Sequence, residues 1–214
     1  MAMRIYLVRH GQTTSNVEHL MDTLPPGAEL TPRGRDQATA VGLELAELVD
    51  SEVPLVLSSV AIRAQQTAMG AMRAFEEARD MEEHSMRVQP VMGVHEIFGG
   101  AFEMSGSEDA RRDYTVALRG WLDGDMEASM EEGETLAHVL ERFQPVLENA
   151  AAQDRDVIIF SHGAAIRVMT THACGVDPDF AFSGYIANCR FTVIEPGERE
   201  FGQWELKRWA DLDL

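Results

Sequence analysis

The chain is poor in several features that would mark other classes of protein. It has two cysteines, Cys174 and Cys189, which give neither a disulfide framework nor a paired metal-ligand spacing. Both stand in apolar surroundings and read as small packing residues. No His-x-x-x-His pair occurs, so no metal site is expected. Basic residues are scarce: 18 Lys and Arg face 36 Asp and Glu, for a net charge of -18. Such a surface repels nucleic-acid backbones and anionic membranes, and neither is expected as a partner. No apolar run approaches bilayer-spanning length. The apolar run near the start is too short, and too soon interrupted by charge, for a signal peptide. A reduced, cytoplasmic protein is expected.

The 214 residues, 45% of them hydrophobic, suit one folded domain spanning 1–214. The excess of acid reads as a solubilising surface. It also repels phosphorylated substrates at long range. Any phosphate site must therefore be a local positive island of Arg, His and backbone N–H groups.

Short apolar runs at Arg4–Val8, Leu55–Leu57 and Val157–Phe160 read as strands covered on both faces, as in a parallel sheet. Further strands are expected at Phe191–Glu195 and Trp204–Trp209. Thr31 and Pro32 start a helix with Ala38, Val41, Leu45, Leu48 and Val49 along one face. Ala61–Ala78 is rich in helix formers, and Glu76–Glu83 reads as a charged surface loop. Leu136–Ala150 has helical periodicity, but Pro145 predicts a kink or a later helix start. Residues Gly99–Gly133 read as an insertion. Strands alternating with helices predict an α/β domain with a mostly parallel central sheet.

Chemistry gathers where these strands end. Arg9-His10-Gly11 follows the first of these runs, and Ser161-His162-Gly163 follows the third. Ligands of open α/β sheets bind at the carboxyl ends of strands. Gly11 and Gly163 let backbone approach a ligand, and the helices beyond offer N-terminal amides to an anion. A neutral imidazole is a good nucleophile near pH 7, and a phosphoryl group needs electrostatic stabilisation more than covalent help. Arg63, after the second strand, supplies a planar bidentate phosphate ligand. Glu96, flanked by apolar residues and glycines, is the candidate acid that protonates the leaving alcohol. His162 is expected to be cationic and to help clamp phosphate.

Arg9-His10-Gly11-Gln12-Thr13 with Asn16 resembles the signature of the histidine phosphatase superfamily, the phosphoglycerate mutase-like group. The resemblance continues through Leu30–Ala38, Ser58–Thr67, Glu96, Gly133-Glu134-Thr135 and Ser161-His162-Gly163, in order and over nearly the whole chain. It implies a three-layer αβα sandwich, no metal, no cofactor and a histidine acid phosphatase-like phosphomonoesterase acting on a small phosphorylated metabolite. His10 would carry the phosphoryl group. Arg9, Arg63 and His162 would form the phosphate pocket, with Glu96 as general acid and Thr13 and Asn16 nearby. A homodimer follows from the resemblance alone. Asn16 is as readily a helix or turn cap. The other histidines, His19, His84, His95, His138 and His172, read as surface or packing residues.

The chain departs from the pattern at Gly100-Ala101-Phe102-Glu103-Met104, where members usually read Gly-x-Trp-Glu-Gly. Met104 in place of glycine predicts a different loop path. The mutase branch needs extra cations after the acid, yet Glu96–Glu108 holds no Lys or Arg; Arg111 and Arg112 follow it. Hydrolysis is therefore favoured over a mutase, and over a non-catalytic phosphate-binding protein, which needs no complete set of these charges.

Overall fold

The computed structural model describes residues 3–214. Its centre is a seven-stranded sheet in the order β3-β2-β4-β1-β5-β6-β7. Strands β1 (Ile5–Arg9), β2 (Leu55–Ser59), β3 (Val88–Val91) and β4 (Val157–Ser161) run parallel. Strands β5 (Phe191–Glu195), β6 (Glu205–Trp209) and β7 (Leu212–Asp213) complete the sheet by antiparallel pairing.

Alternation along the strands divides the core into two layers. Ile5, Leu7, Val157 and Ile159 face one cluster, with helices α4 (Glu108–Asp123), α5 (Leu136–Ala151), α6 (Gly163–Cys174) and α7 (Pro178–Ser183). Tyr6, Val8, Ile158 and Phe160 face the other, with α2 (Pro32–Leu48) and α3 (Ile62–Ala78). The result is a three-layer αβα sandwich. After β1 the chain builds α2 on one face; after β4 it builds α6 on the other. Adjacent strands whose helices leave to opposite faces open a crevice at their carboxyl ends. Register places Arg9 beside Ser161, so His10 and His162 meet at the mouth of that crevice.

Several expectations need correction. Helix α5 starts at Leu136 and runs through Pro145 to Ala151 rather than starting later. Proline inside a helix costs about 3 kcal/mol. Leu136, Val139, Phe143 and Leu147 are all fully buried on that helix. At roughly 1.5–3 kcal/mol per buried large side chain, their burial outweighs the lost bond. Glu76 is not loop surface. It ends α3 buried, accepting the amides of His84 (3.0 Å) and Met86 (2.6 Å). Strand β3 had no strong local pattern, being an edge strand of only four residues. Helix α4 was passed over inside the Gly99–Gly133 segment although Ser107 caps it, Gly124 ends it and Ala110, Ala117, Leu118, Trp121 and Leu122 form one buried face.

Met104 keeps a backbone conformation that favours glycine. Met104 has φ +60°, in the left-handed region, and its N–H donates to Met21 O at 2.8 Å. Glu103 holds the facing segment, its carboxylate accepting the amides of Thr23 (2.9 Å) and Leu24 (3.0 Å) as well as the Thr23 hydroxyl. A non-glycine residue in that region is strained by roughly 1 kcal/mol. Met104 is 53% exposed, so little burial opposes the change. Met104→Gly is expected to stabilise the fold by up to about 1 kcal/mol, offset in part by glycine's greater freedom when unfolded. A urea midpoint that falls in the variant would contradict this account.

Candidate active site

The crevice holds a pocket of about 180 Å3 lined by Arg9, His10, Asn16, Arg63, Glu96 and Gly163, with Asp22, Tyr114, Trp121, Arg167 and Tyr185 completing its wall. Six of the nine residues singled out from the sequence line it. His162, Gly11 and Thr13 lie behind its surface.

His10 is 5% exposed, and its Nδ1 lies 2.8 Å from Gly11 O. A carbonyl only accepts, so Nδ1 carries the proton and Nε2 keeps its lone pair. Burial, with the charges of Arg63 and Arg9, pushes the pKa of His10 well below its ordinary 6.5. The ring is a neutral imidazole of fixed tautomer.

His162 is fully buried, and its ring centroid lies 5.1 Å from that of His10. Arg63 Nε donates to its Nδ1 at 3.3 Å, and its Nε2 meets Ser59 Oγ at 2.8 Å. A guanidinium only donates, so the proton of His162 sits on Nε2. Burial, then Arg63 and His10, holds its pKa well below 6.5. The cationic clamp expected from sequence is thus replaced by a neutral ring that buttresses Arg63 and packs on His10.

Both buried histidines make the fold sensitive to acid. Below about pH 6.5 the unfolded chain binds protons that the folded chain refuses, so stability is lost as pH falls. Each such group contributes about 1.4 kcal/mol between pH 7.5 and 5.5, or roughly 3 kcal/mol together. In urea titrations, His162→Asn is expected to remove about half of that pH-dependent loss. Identical slopes in the two proteins would show that His162 is protonated when folded.

Arg63 is 2% exposed; its Nη2 donates to Asp22 O at 2.9 Å, and Nη1 lies 3.6 Å from Asp22 Oδ1. Asp22 is itself held by the Ser15 hydroxyl (2.9 Å) and the Ala28 amide (2.8 Å). Arg9 donates from Nη1 to Tyr185 Oη and Ile186 O, each at 2.7 Å. Arg9 Nε and Arg63 Nη1 are buried donors without a hydrogen-bond partner. Gly163 makes room for Arg9: a Cβ there would lie 3.1 Å from Arg9 Nε. The need for glycine at 11 differs, since a Cβ would lie 2.5 Å from Gly34 O on α2.

Glu96 does not sit in an apolar, glycine-lined setting. Its Oε1 accepts the amides of Ile97 (3.0 Å) and Ala165 (2.9 Å), and its Oε2 that of Ala164 (3.2 Å). Oε2 has one partner and retains a free lone pair for a proton. Arg142 holds the Glu96 segment from behind, donating to the carbonyls of Gly93, His95 and Glu96 while paired with Glu134.

Thr13 is the N-cap of α1 (Thr14–Val17), and its hydroxyl is spent on the Asn16 amide at 3.1 Å. Asn16 Oδ1 returns a bond to Thr13 N and also accepts from Asn188 Nδ2, each at 3.1 Å. Asn16 is thus both a cap and part of the pocket wall. Cys189 is buried and Cys174 half-buried, and burial pushes both thiols up to about 12. Among the described residues no group of three or more His, Cys, Asp or Glu could hold a metal ion. Nor is any helix there long and apolar enough to cross a membrane.

Sequence reasoning passed over Arg167, Tyr114, Asp22 and Arg142. Arg167 left a readable trace: it stands four residues after Gly163, hence on the same helix face. The others come from distant segments, and no local pattern announces them.

The class that fold and site define is an αβα protein with a neutral histidine facing a cationic crevice at the carboxyl edge of its sheet. The chain belongs to the histidine phosphatase superfamily (branch 1), whose family model matches residues 5–212. It is 26% identical over 200 residues to phosphoserine phosphatase 1 of Hydrogenobacter thermophilus, covering 92% of this chain and 88% of that protein. It is 23% identical over 210 residues to a probable phosphoglycerate mutase of Erwinia tasmaniensis, covering 97% and 90%. Among solved structures, a mycobacterial glucosyl-3-phosphoglycerate phosphatase with VO3 superposes with a TM-score of 0.76 at 24% identity, covering 98% and 99%.

Proposed function

We propose that the protein is a metal-independent phosphomonoester hydrolase acting through a phosphohistidine at His10 on a small phosphorylated metabolite. The observation that carries this reading is the His10 ring, neutral and with its Nδ1 proton fixed on Gly11 O, so that the Nε2 lone pair is the reactive one. Phosphatases among its relatives support the reaction class.

His10 Nε2 attacks phosphorus as the ester oxygen departs, and that oxygen takes a proton from Glu96 Oε2. The phosphoryl oxygens gain charge in the transition state, and Arg9 and Arg63 stabilise them. Their unpartnered buried donors, each costing about 1–3 kcal/mol while unsatisfied, are what an anion would relieve. Glu96, now a carboxylate, takes a proton from water as the water oxygen attacks phosphorus, and the bond to His10 breaks. His162 acts through Arg63 and the His10 ring. Gly163 leaves room for Arg9, Gly11 seats the loop on α2, Asn16 lends its amide to the pocket, and Thr13 holds Asn16.

Arg111 and Arg112 are exposed on α4 and absent from the pocket wall, which weighs against a mutase. The test is trapping with a radiolabelled small phosphomonoester in excess chelator. An acid-labile label on wild type, absent from His10→Ala, supports the route. Chelator-sensitive turnover without label would refute it.

A further inference from the structure

The turn that carries Glu96 is held by bonds that the chemistry above does not use. Residues 93–98 form neither strand nor helix, so their peptide groups need partners from elsewhere in the fold. Four successive carbonyls find one. Arg142, on α5, donates to those of Gly93, His95 (3.0 Å) and Glu96 (3.2 Å), and the Ser161 hydroxyl donates to that of Val94 (2.7 Å). The two remaining N–H groups of Arg142 pair with the two oxygens of Glu134, Nη2 lying 2.8 Å from Oε2. All five donors of the guanidinium are thus spent, three on the turn and two on Glu134. Glu134 grips the far end of the same turn. Its Oε2 accepts the Phe98 amide (3.2 Å), and its own amide donates to Phe98 O (3.1 Å).

The turn also lies hard against α5. Gly93 has φ +99°, and a Cβ there would lie 2.4 Å from Arg142 O. Neither Arg142 nor Glu134 lines the catalytic pocket, and their side chains are 15% and 14% exposed. Glu96 does line it, with its carboxylate on the amides of Ile97, Ala164 and Ala165. Two of those amides belong to α6. They seat the carboxylate only while the Glu96 backbone keeps its place relative to that helix. Proton transfer needs the two heavy atoms within about 2.6–3.2 Å. A misplacement of about 1 Å caused by a distant change costs on the order of 100-fold in rate.

We infer that Arg142, braced by Glu134, is a positioning residue for the general acid: it fixes the backbone of the turn so that Glu96 Oε2 stays within reach of the leaving oxygen. This role rests on the hydrolytic reading, in which Glu96 gives that oxygen its proton. Arg142 lies outside the pocket that holds His10, Arg9 and Arg63, so its effect reaches the reaction only through Glu96. Removing the guanidinium frees three carbonyls and leaves Glu134 without its cation, and the turn loses its fixed path. An ester whose leaving group needs no proton is insensitive to that loss.

The experiment measures kcat and KM on ethyl phosphate and on nitrophenyl phosphate for wild type, Arg142→Met, Glu96→Gln and the double variant. Arg142→Met is expected to lower kcat by on the order of 100-fold on ethyl phosphate and by less than about threefold on nitrophenyl phosphate. KM is expected to stay within about threefold on both esters. In Glu96→Gln, which has no proton to place, the same substitution is expected to cost less than about threefold on ethyl phosphate. Equal losses on the two esters, or losses that multiply in the double variant, would make Arg142 a structural anchor and overturn the positioning role. If Arg142→Met does not fold, Glu134→Gln decides. It keeps an oxygen for the Phe98 amide but removes the charge that braces Arg142, and a loss of about tenfold on ethyl phosphate alone is expected. Should wild type release no phosphate while labelled ethyl phosphate still marks His10, hydrolysis fails on its own, and the same ratios are read from labelling rates. With neither release nor labelling, the hydrolytic reading and the positioning role fall together.

Discussion

Replacing His10 with alanine is expected to lower kcat by on the order of 10⁶, the scale seen when a covalent nucleophile is removed. No neighbour can take its place. His162 lies 5.1 Å away ring to ring, yet both of its nitrogens are occupied, by Arg63 and by Ser59. The two cysteines have thiols pushed up to about 12, which leaves negligible thiolate near neutrality. The loss should therefore be the same for esters with good and poor leaving groups. It should not be mistaken for unfolding, since the variant loses a ring whose neutrality makes the fold acid-sensitive. Its melting temperature is expected to fall less than that of wild type as pH drops from 7.5 to 5.5. A residual rate within about tenfold of wild type would remove His10 from the covalent step.

The second large effect is expected at Glu96, and it should depend on the ester. General acid catalysis contributes about 10²–10⁴-fold when the departing oxygen needs a proton. Glu96→Gln is expected to lose that factor on an alkyl phosphate and less than about tenfold on a nitrophenyl phosphate, whose anion leaves unaided. The substitution keeps the side-chain shape and one oxygen for the amides of Ile97 and Ala165. Its new N–H2 would face the Ala164 amide, so a modest loss in binding accompanies it. Equal losses on both esters would assign Glu96 a purely structural role beside α6. The pH profile separates the two residues. Burial and the nearby arginines hold His10 neutral, so the acid-side fall in kcat/KM due to it belongs well below pH 6.5.

Much of this was legible from local pattern. Unbroken apolar runs identified β1, β2 and β4, and the residues that follow such strands are the ones a sheet delivers to its carboxyl edge. That rule alone brought out His10, His162 and Arg63. What stayed illegible has specific causes. Edge strand β3 carries Pro90 and little hydrophobic alternation, so nothing in its four residues marks it as a strand. Nothing local to Met104 shows what holds its segment, which the Met21 carbonyl and the amides that the Glu103 carboxylate accepts fix from across the pocket mouth. The surroundings of Glu96 were inferred from its chain neighbours, but of the three amides that bind it only that of Ile97 is local; the other two come from α6, 68 and 69 residues away.

The sequence by itself determined the alternation of strands and helices, the acidic surface that confines positive charge to one island, and the residues placed at strand ends. Period and composition act over a few residues, and those features need nothing more. The tertiary structure alone decided the chemical state of these groups. Register between β1 and β4 set His10 against His162. Burial made both rings neutral, and Arg63 chose the tautomer of His162. The fold of α6 against α7 turned Arg167 into the pocket. Protonation, counter-charge and solvent access depend on which distant groups come within a few ångströms, and only the assembled fold specifies that.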